Sequence, residues 1–101
     1  MFYQSLAEYL DDPVTALKRL VLEGNKMGDS NLKTLCKVLE DNTKVNYVNF
    51  SKNEITDNGL KFIIEMLRCN TYINVLFLHW NRILGKGGAL LAKALSKNTN
   101  V

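Results

Sequence analysis

At 101 residues, with 47% hydrophobic and 23% charged positions and a formal net charge of +3, the chain has the composition of one small globular domain. That charge is too mild to imply a nucleic-acid partner. The longest run free of charge, Cys69 to Asn81, is 13 residues and contains Asn, Thr and His, short of the about 20 apolar residues a membrane span needs.

In chain order, residues 2–12 place Leu6 and Leu10 at helical spacing, and Asp11-Asp12-Pro13 ends that segment. The N-terminus lacks a basic stretch followed by an apolar one, so no signal peptide is visible. From Leu17 onward, a shift of 28 residues brings the apolar positions into register without insertion or deletion. Leu17, Val45, Ile73 and Val101 form one column; Leu20, Val48 and Leu76 a second; Leu22, Phe50 and Leu78 a third. Further columns are Asn25/Asn53/Asn81, Met27/Ile55/Ile83, Leu35/Ile63/Leu91, Leu39/Leu67/Leu95 and Asn42/Asn70/Asn98.

Within each copy the period changes. Leu20-Val21-Leu22, Val48-Asn49-Phe50 and Leu76-Phe77-Leu78 alternate core and non-core positions, which predicts short strands. From Leu32 to Leu39, Leu60 to Leu67 and Ala89 to Leu95 the apolar residues recur at three and four, which predicts helices. Asp29 and Asp57 (or Thr56) precede the first two helices and suit an N-cap; Gly85-Lys86-Gly87-Gly88 stands there in the third copy. One strand and one helix per copy give a curved stack with a parallel sheet inside and helices outside.

The pattern Leu17-x-x-Leu20-x-Leu22-x-x-Asn25-x-Met27, a helix and Asn42, repeated from Val45 and from Ile73, resembles leucine-rich repeats of the ribonuclease-inhibitor-like class. The resemblance covers residues 17–101. It implies an α/β fold, a right-handed solenoid or horseshoe with a parallel β-sheet on the concave side and helices on the convex side. Residues 1–16 would be the helix of a preceding partial repeat and its link, with repeats at 17–44, 45–72 and 73–100 and Val101 starting another. No polar capping repeat follows Val101, so a segment of a longer array is expected, or an edge covered by another chain, including edge-to-edge self-association.

In this class an Asn ladder such as Asn25, Asn53 and Asn81 is structural, its amides bonding backbone where the chain leaves the strand. Members commonly bind protein partners through the concave face. Strand alternation assigns to that face Arg19, Val21, Glu23 and Gly24, then Tyr47, Asn49, Ser51 and Lys52, then Val75, Phe77, His79 and Trp80. Exposed aromatics mark interfaces, although Trp80 could instead pack over Lys52 and shield the strand end.

Chemistry is otherwise sparse. His79 is the only histidine, and a Ser51–His79–Glu23 line on a flat sheet has no evident oxyanion pocket. Gly85–Gly88 does not match the phosphate-binding G-x-x-x-x-G-K-[ST] pattern. Cys36 and Cys69 fall in different columns and copies, so free thiols are expected rather than a disulfide. No catalytic residue, metal or cofactor follows. The expectation is an intracellular, cytoplasmic module holding a protein partner, with no nucleic acid and no membrane. The competing readings are a structural part of a large axonemal, ciliary or cytoskeletal complex, and a regulatory module of the GTPase-activating or NOD-like-receptor sensor kind.

Overall fold

A computed structural model of the chain describes residues 2–79 and 81–83. The helix expected at 89–95, Gly85–Gly88 and Trp80 lie outside the described residues. The elements run α1 (Phe2–Asp11), β1 (Arg19–Val21), α2 (Gly28–Leu39), β2 (Tyr47–Asn49), α3 (Asp57–Cys69) and β3 (Val75–Phe77). Each strand starts and ends one residue before its expected alternating triplet, and the helices begin up to one turn earlier than their apolar periods.

The strands form one parallel sheet in the order β1-β2-β3. Arg19 pairs with Tyr47 and Tyr47 with Val75; Leu20, Val48 and Leu76 align likewise. The ladder then repeats itself beyond the strands. Leu22 N–H donates to the Asn49 carbonyl at 3.0 Å, as Phe50 N–H does to Phe77 at 2.9 Å; Gly24 N–H reaches Ser51 and Lys52 N–H reaches His79, both at 3.0 Å. Parallel neighbours need a long crossover, and α2 and α3 supply the two.

Burial follows from the pleat. Leu20 and Val48 point to one face and are buried, with Phe50, Val45, Ile55 and Ile73 in the same layer. The helices present Leu32, Leu35 and Leu39 from α2, and Leu60, Ile63, Met66 and Leu67 from α3, to this core. The helices lie side by side, α1 against α2 and α2 against α3. The opposite face of the sheet carries no helix among the described residues.

Two sets of asparagines close the turns. Asn53 is fully buried; its Oδ1 accepts from Asn25 N–H (3.0 Å) and Met27 N–H (3.2 Å), and its Nδ2 donates to the carbonyls of Leu22 (2.8 Å) and Ser51 (3.0 Å). Asn81 repeats three of these bonds 28 residues on, to Asn53 N–H, Ile55 N–H and the Phe50 carbonyl, while its fourth goes to the Leu78 carbonyl, where His79 would be the equivalent of Ser51. Asn25 Nδ2 donates to Leu22 and Glu23 in its own turn. The second set stands at the other end of the strands. Asn70 Nδ2 donates to Leu39 (2.6 Å) and Asn42 while its Oδ1 holds the N–H groups of Tyr72 and Ile73. Asn42 does the same toward Leu10, Lys44 and Val45. Leu39 is the last residue of α2, and its carbonyl accepts from both the Asn42 N–H at 3.3 Å and the Asn70 side chain.

The helix starts correct one expectation. Thr56 caps α3, accepting from Asn58 N–H at 3.2 Å. Asp29 caps nothing in its own helix: the position before α2 is Met27, with no side-chain cap bond, and Asp29 stands inside the first turn. Its carboxylate crosses to the next repeat, accepting from Thr56 N–H at 2.9 Å and from the Thr56 hydroxyl. The neighbouring helix start offers two donors, and the carboxylate satisfies both.

Candidate functional site

The sheet face away from the helices is built by the same alternation that buries Leu20 and Val48. Rows across it run Arg19–Tyr47–Val75 and Val21–Asn49–Phe77. Val21 is 57% exposed and Phe77 39%, large for apolar side chains on a sheet. Val75 and Tyr47 are half-buried, and Arg19 is exposed.

These side chains touch in a continuous series. The Arg19 guanidinium lies over the Tyr47 ring, 4.0 Å from its centroid. Tyr47 packs against Phe77 at 5.6 Å with a tilt of 59°, and Phe77 meets His79 edge-on at 6.2 Å and 86°. His79 Nε2 stands 3.5 Å from Glu23 Oε1, and its Nδ1 is 2.9 Å from Ser51 Oγ. The contacts leave β1 at Arg19, cross both other strands and return to Glu23, just beyond the end of β1. They frame Val21 and Asn49. Asn49 Oδ1 is occupied by Ser51 N–H at 3.0 Å, which leaves its amide hydrogens toward the open face.

The structure therefore brings Arg19, Val21, Glu23, Tyr47, Asn49, Phe77 and His79 together. Ser51 departs from its expected place on the open face: it is fully buried. β2 ends at Asn49, so the two-residue alternation no longer governs position 51, and the hydroxyl turns under His79. This also bears on the Ser51–His79–Glu23 line. Both imidazole nitrogens are occupied, yet the serine oxygen has no surface from which to attack a substrate. The trio orients His79 and ties Glu23 to it.

Lys52 is exposed at the rim with φ +58, where the first repeat has Gly24 at φ +76. A side chain in that left-handed region is strained, and glycine is the usual occupant. Among the described residues, Arg68 pairs with Glu65, and Glu23 lies against His79, an ion pair only when the imidazole is protonated. Neither Arg19 nor Lys52 has a carboxylate partner among them.

Elsewhere the described residues offer less. Glu40, Glu65 and Cys69 bring ligand atoms within 4.8 Å of one another on the helix side, all exposed or half-exposed. They come from neighbouring helices, so their meeting was not visible in one repeat's spacing. Both cysteines are free: Cys36 is buried, which pushes its thiol far above the ordinary range, with Glu40 adding to the rise. A cavity of about 290 Å³ opens between the ends of α1 and α2, lined by Leu10, Asp11, Asp12, Asp41 and Lys44 among others. No helix of the described residues is long and apolar enough to cross a membrane.

Comparison with known proteins agrees with this geometry. The Leucine Rich repeat family model matches residues 41–63, the segment that contains β2 and the first half of α3. No curated protein matches the chain. Among solved structures, leiomodin-1 Actin-Binding Site 2 matches with a TM-score of 0.88 and 26% identity over 99% of this chain. The tropomodulin C-terminal domain of Caenorhabditis elegans matches with a TM-score of 0.85 and 16% identity, also over 99%. The chain spans 58% and 60% of the length of these two structures. The chain thus contains leucine-rich repeat structure, of mixed α/β class with a parallel sheet.

Proposed function

We propose that this chain is a protein-binding module of the cytoskeleton, that the open face of β1–β3 is its binding surface, and that actin is its partner. The continuous series of contacts from Arg19 through Tyr47, Phe77 and His79 to Glu23 carries the reading. Side chains already held by one another lose little freedom on binding, so the surface is preorganised around the exposed Val21 and Phe77. Buried aromatics and arginines dominate binding hot spots. Actin is the candidate because leiomodin-1, at 26% identity, is described by its actin-binding site. The same reading makes the chain a non-enzymatic, intracellular protein. It also takes the repeats, at 17–44, 45–72 and 73–100, as 28-residue ribonuclease-inhibitor-like units curving so that this face is concave.

Co-sedimentation with actin filaments, and titration into labelled monomeric actin, test the proposal. Binding to one form is expected, with Val21→Asp and Phe77→Ala each weakening it by about tenfold or more. Both positions are exposed, so circular dichroism and melting temperature should hold. Undiminished binding by both folded variants would exclude the face; no binding to either form would exclude actin.

A further inference from the structure

Two cations of this face stand without an acidic partner. Glu23 lies 3.5 Å from His79, a charge pair only when the imidazole is protonated, whereas Arg19 at one end and Lys52 at the other meet no carboxylate among the described residues. The Arg19 guanidinium is stacked on Tyr47, which fixes its plane and leaves its N–H edge for a ligand. Lys52 holds a left-handed backbone where the equivalent position is glycine. Lys26 and Glu54 share the left-handed backbone in the same turns, so what distinguishes Lys52 is its exposed charge at the rim of this face. Between these two cations lie Val21, Phe77 and the amide of Asn49.

Resting on the reading of this face as the binding surface, we infer that it takes an acidic segment of the partner, with carboxylates on Arg19 and Lys52 flanking an apolar side chain on Val21 and Phe77. Arg19 is level with Tyr47, and Lys52 lies five residues further along. At ~3.3 Å per extended residue, and less through the turn beyond Asn49, the two anchors are at most roughly 15 Å apart. The matching ligand is thus an extended run of about five residues, or a helix of about three turns, with acids at both ends and an aliphatic or aromatic residue between. Opposed charges across an interface set specificity and encounter rate more than raw affinity. The preference should therefore appear as selectivity.

The test is selection of a phage-displayed library of 12-residue peptides against the full chain and against the double variant Arg19→Glu/Lys52→Glu. For the native chain, recovered sequences should carry Asp or Glu on both sides of an apolar residue. Their binding should fall by about tenfold or more in the double variant, and the double variant should itself recover basic sequences. Lys52→Gly should weaken the acidic peptides while raising the melting temperature, which separates ligand contact from folding. Peptides lost in Val21→Asp but indifferent to charge reversal would overturn this inference and leave the face as the binding surface. Peptides that also tolerate Val21→Asp would overturn both, and recovery of none above background would overturn the acidic preference.

Discussion

Asp29 reaches out of its own helix to hold Thr56, accepting both the backbone N–H at 2.9 Å and the hydroxyl of the residue that caps α3. A Cβ added to Gly59, two residues into α3, would strike this carboxylate. The two repeats are joined here by a charge-assisted pair of bonds that depends on one missing methyl group.

Asp29→Ala should cost about 1–3 kcal/mol, the range for leaving a partly buried donor without its acceptor. Gly59→Ala should also destabilise, although alanine is the better helix former, because it drives Asp29 off Thr56. In the Asp29→Ala background the Gly59→Ala cost should shrink markedly. Urea melts of the four proteins give this coupling, and additive single effects would refute the shared mechanism.

Asn53→Ala removes four bonds from a fully buried side chain, three to the preceding turn (Asn25 N–H, Met27 N–H and the Leu22 carbonyl) and one to Ser51 of its own turn. The expected loss is about 2–4 kcal/mol, built from unsatisfied buried backbone groups. Asn25→Ala should cost less, since Asn25 is exposed and bonds only Leu22 and Glu23 of its own turn. Equal losses in chemical denaturation would contradict the unequal roles assigned to these two residues.

Lys52→Gly should stabilise the fold by up to about 1 kcal/mol, because glycine accepts φ +58 without strain. The gain is partly offset by the freer unfolded chain. A melting temperature below that of the native chain would show that the lysine side chain contributes packing here.

Local desolvation and the carboxylates of Glu40, Glu65 and Asp41 raise the thiol of Cys69 above the ordinary cysteine value, with Arg68 opposing. Thiolate is the reactive form. Removing a negative neighbour lowers the thiol's pKa and increases the thiolate fraction at a given pH. Glu65→Gln should accordingly speed alkylation of Cys69 near neutral pH, followed by mass spectrometry. Cys36, buried in the core, should stay unmodified until the protein unfolds.

How far residues alone could reach shows at two neighbouring positions. The burial of Leu20 and Val48 follows from alternation and from recurrence at 28 residues, both local or periodic properties readable along the chain. The burial of Ser51 does not. Alternation extends it onto the open face, but the strand stops at Asn49, and beyond it the Ser51 N–H bonds the Asn49 side chain while its hydroxyl meets His79. Asp29 is similar: as an acid before a helix it suits a cap, and only the neighbouring helix, 27 residues on, supplies better donors. Asn42 and Asn70 formed a visible column, yet nothing in the column says that each holds the end of the preceding helix.

By itself, then, the sequence determined the three strands, the helices of the first two copies, the core columns within the described residues and the set of residues able to face away from the helices. Tertiary structure alone decided which of those residues meet: Arg19 with Tyr47, Phe77 with His79, and Glu23 and Ser51 with one imidazole. The physical reason is that burial depends on a residue's own period, which one repeat displays. Side-chain contact depends on the spacing and turn of adjacent repeats, which exist only once the sheet is formed.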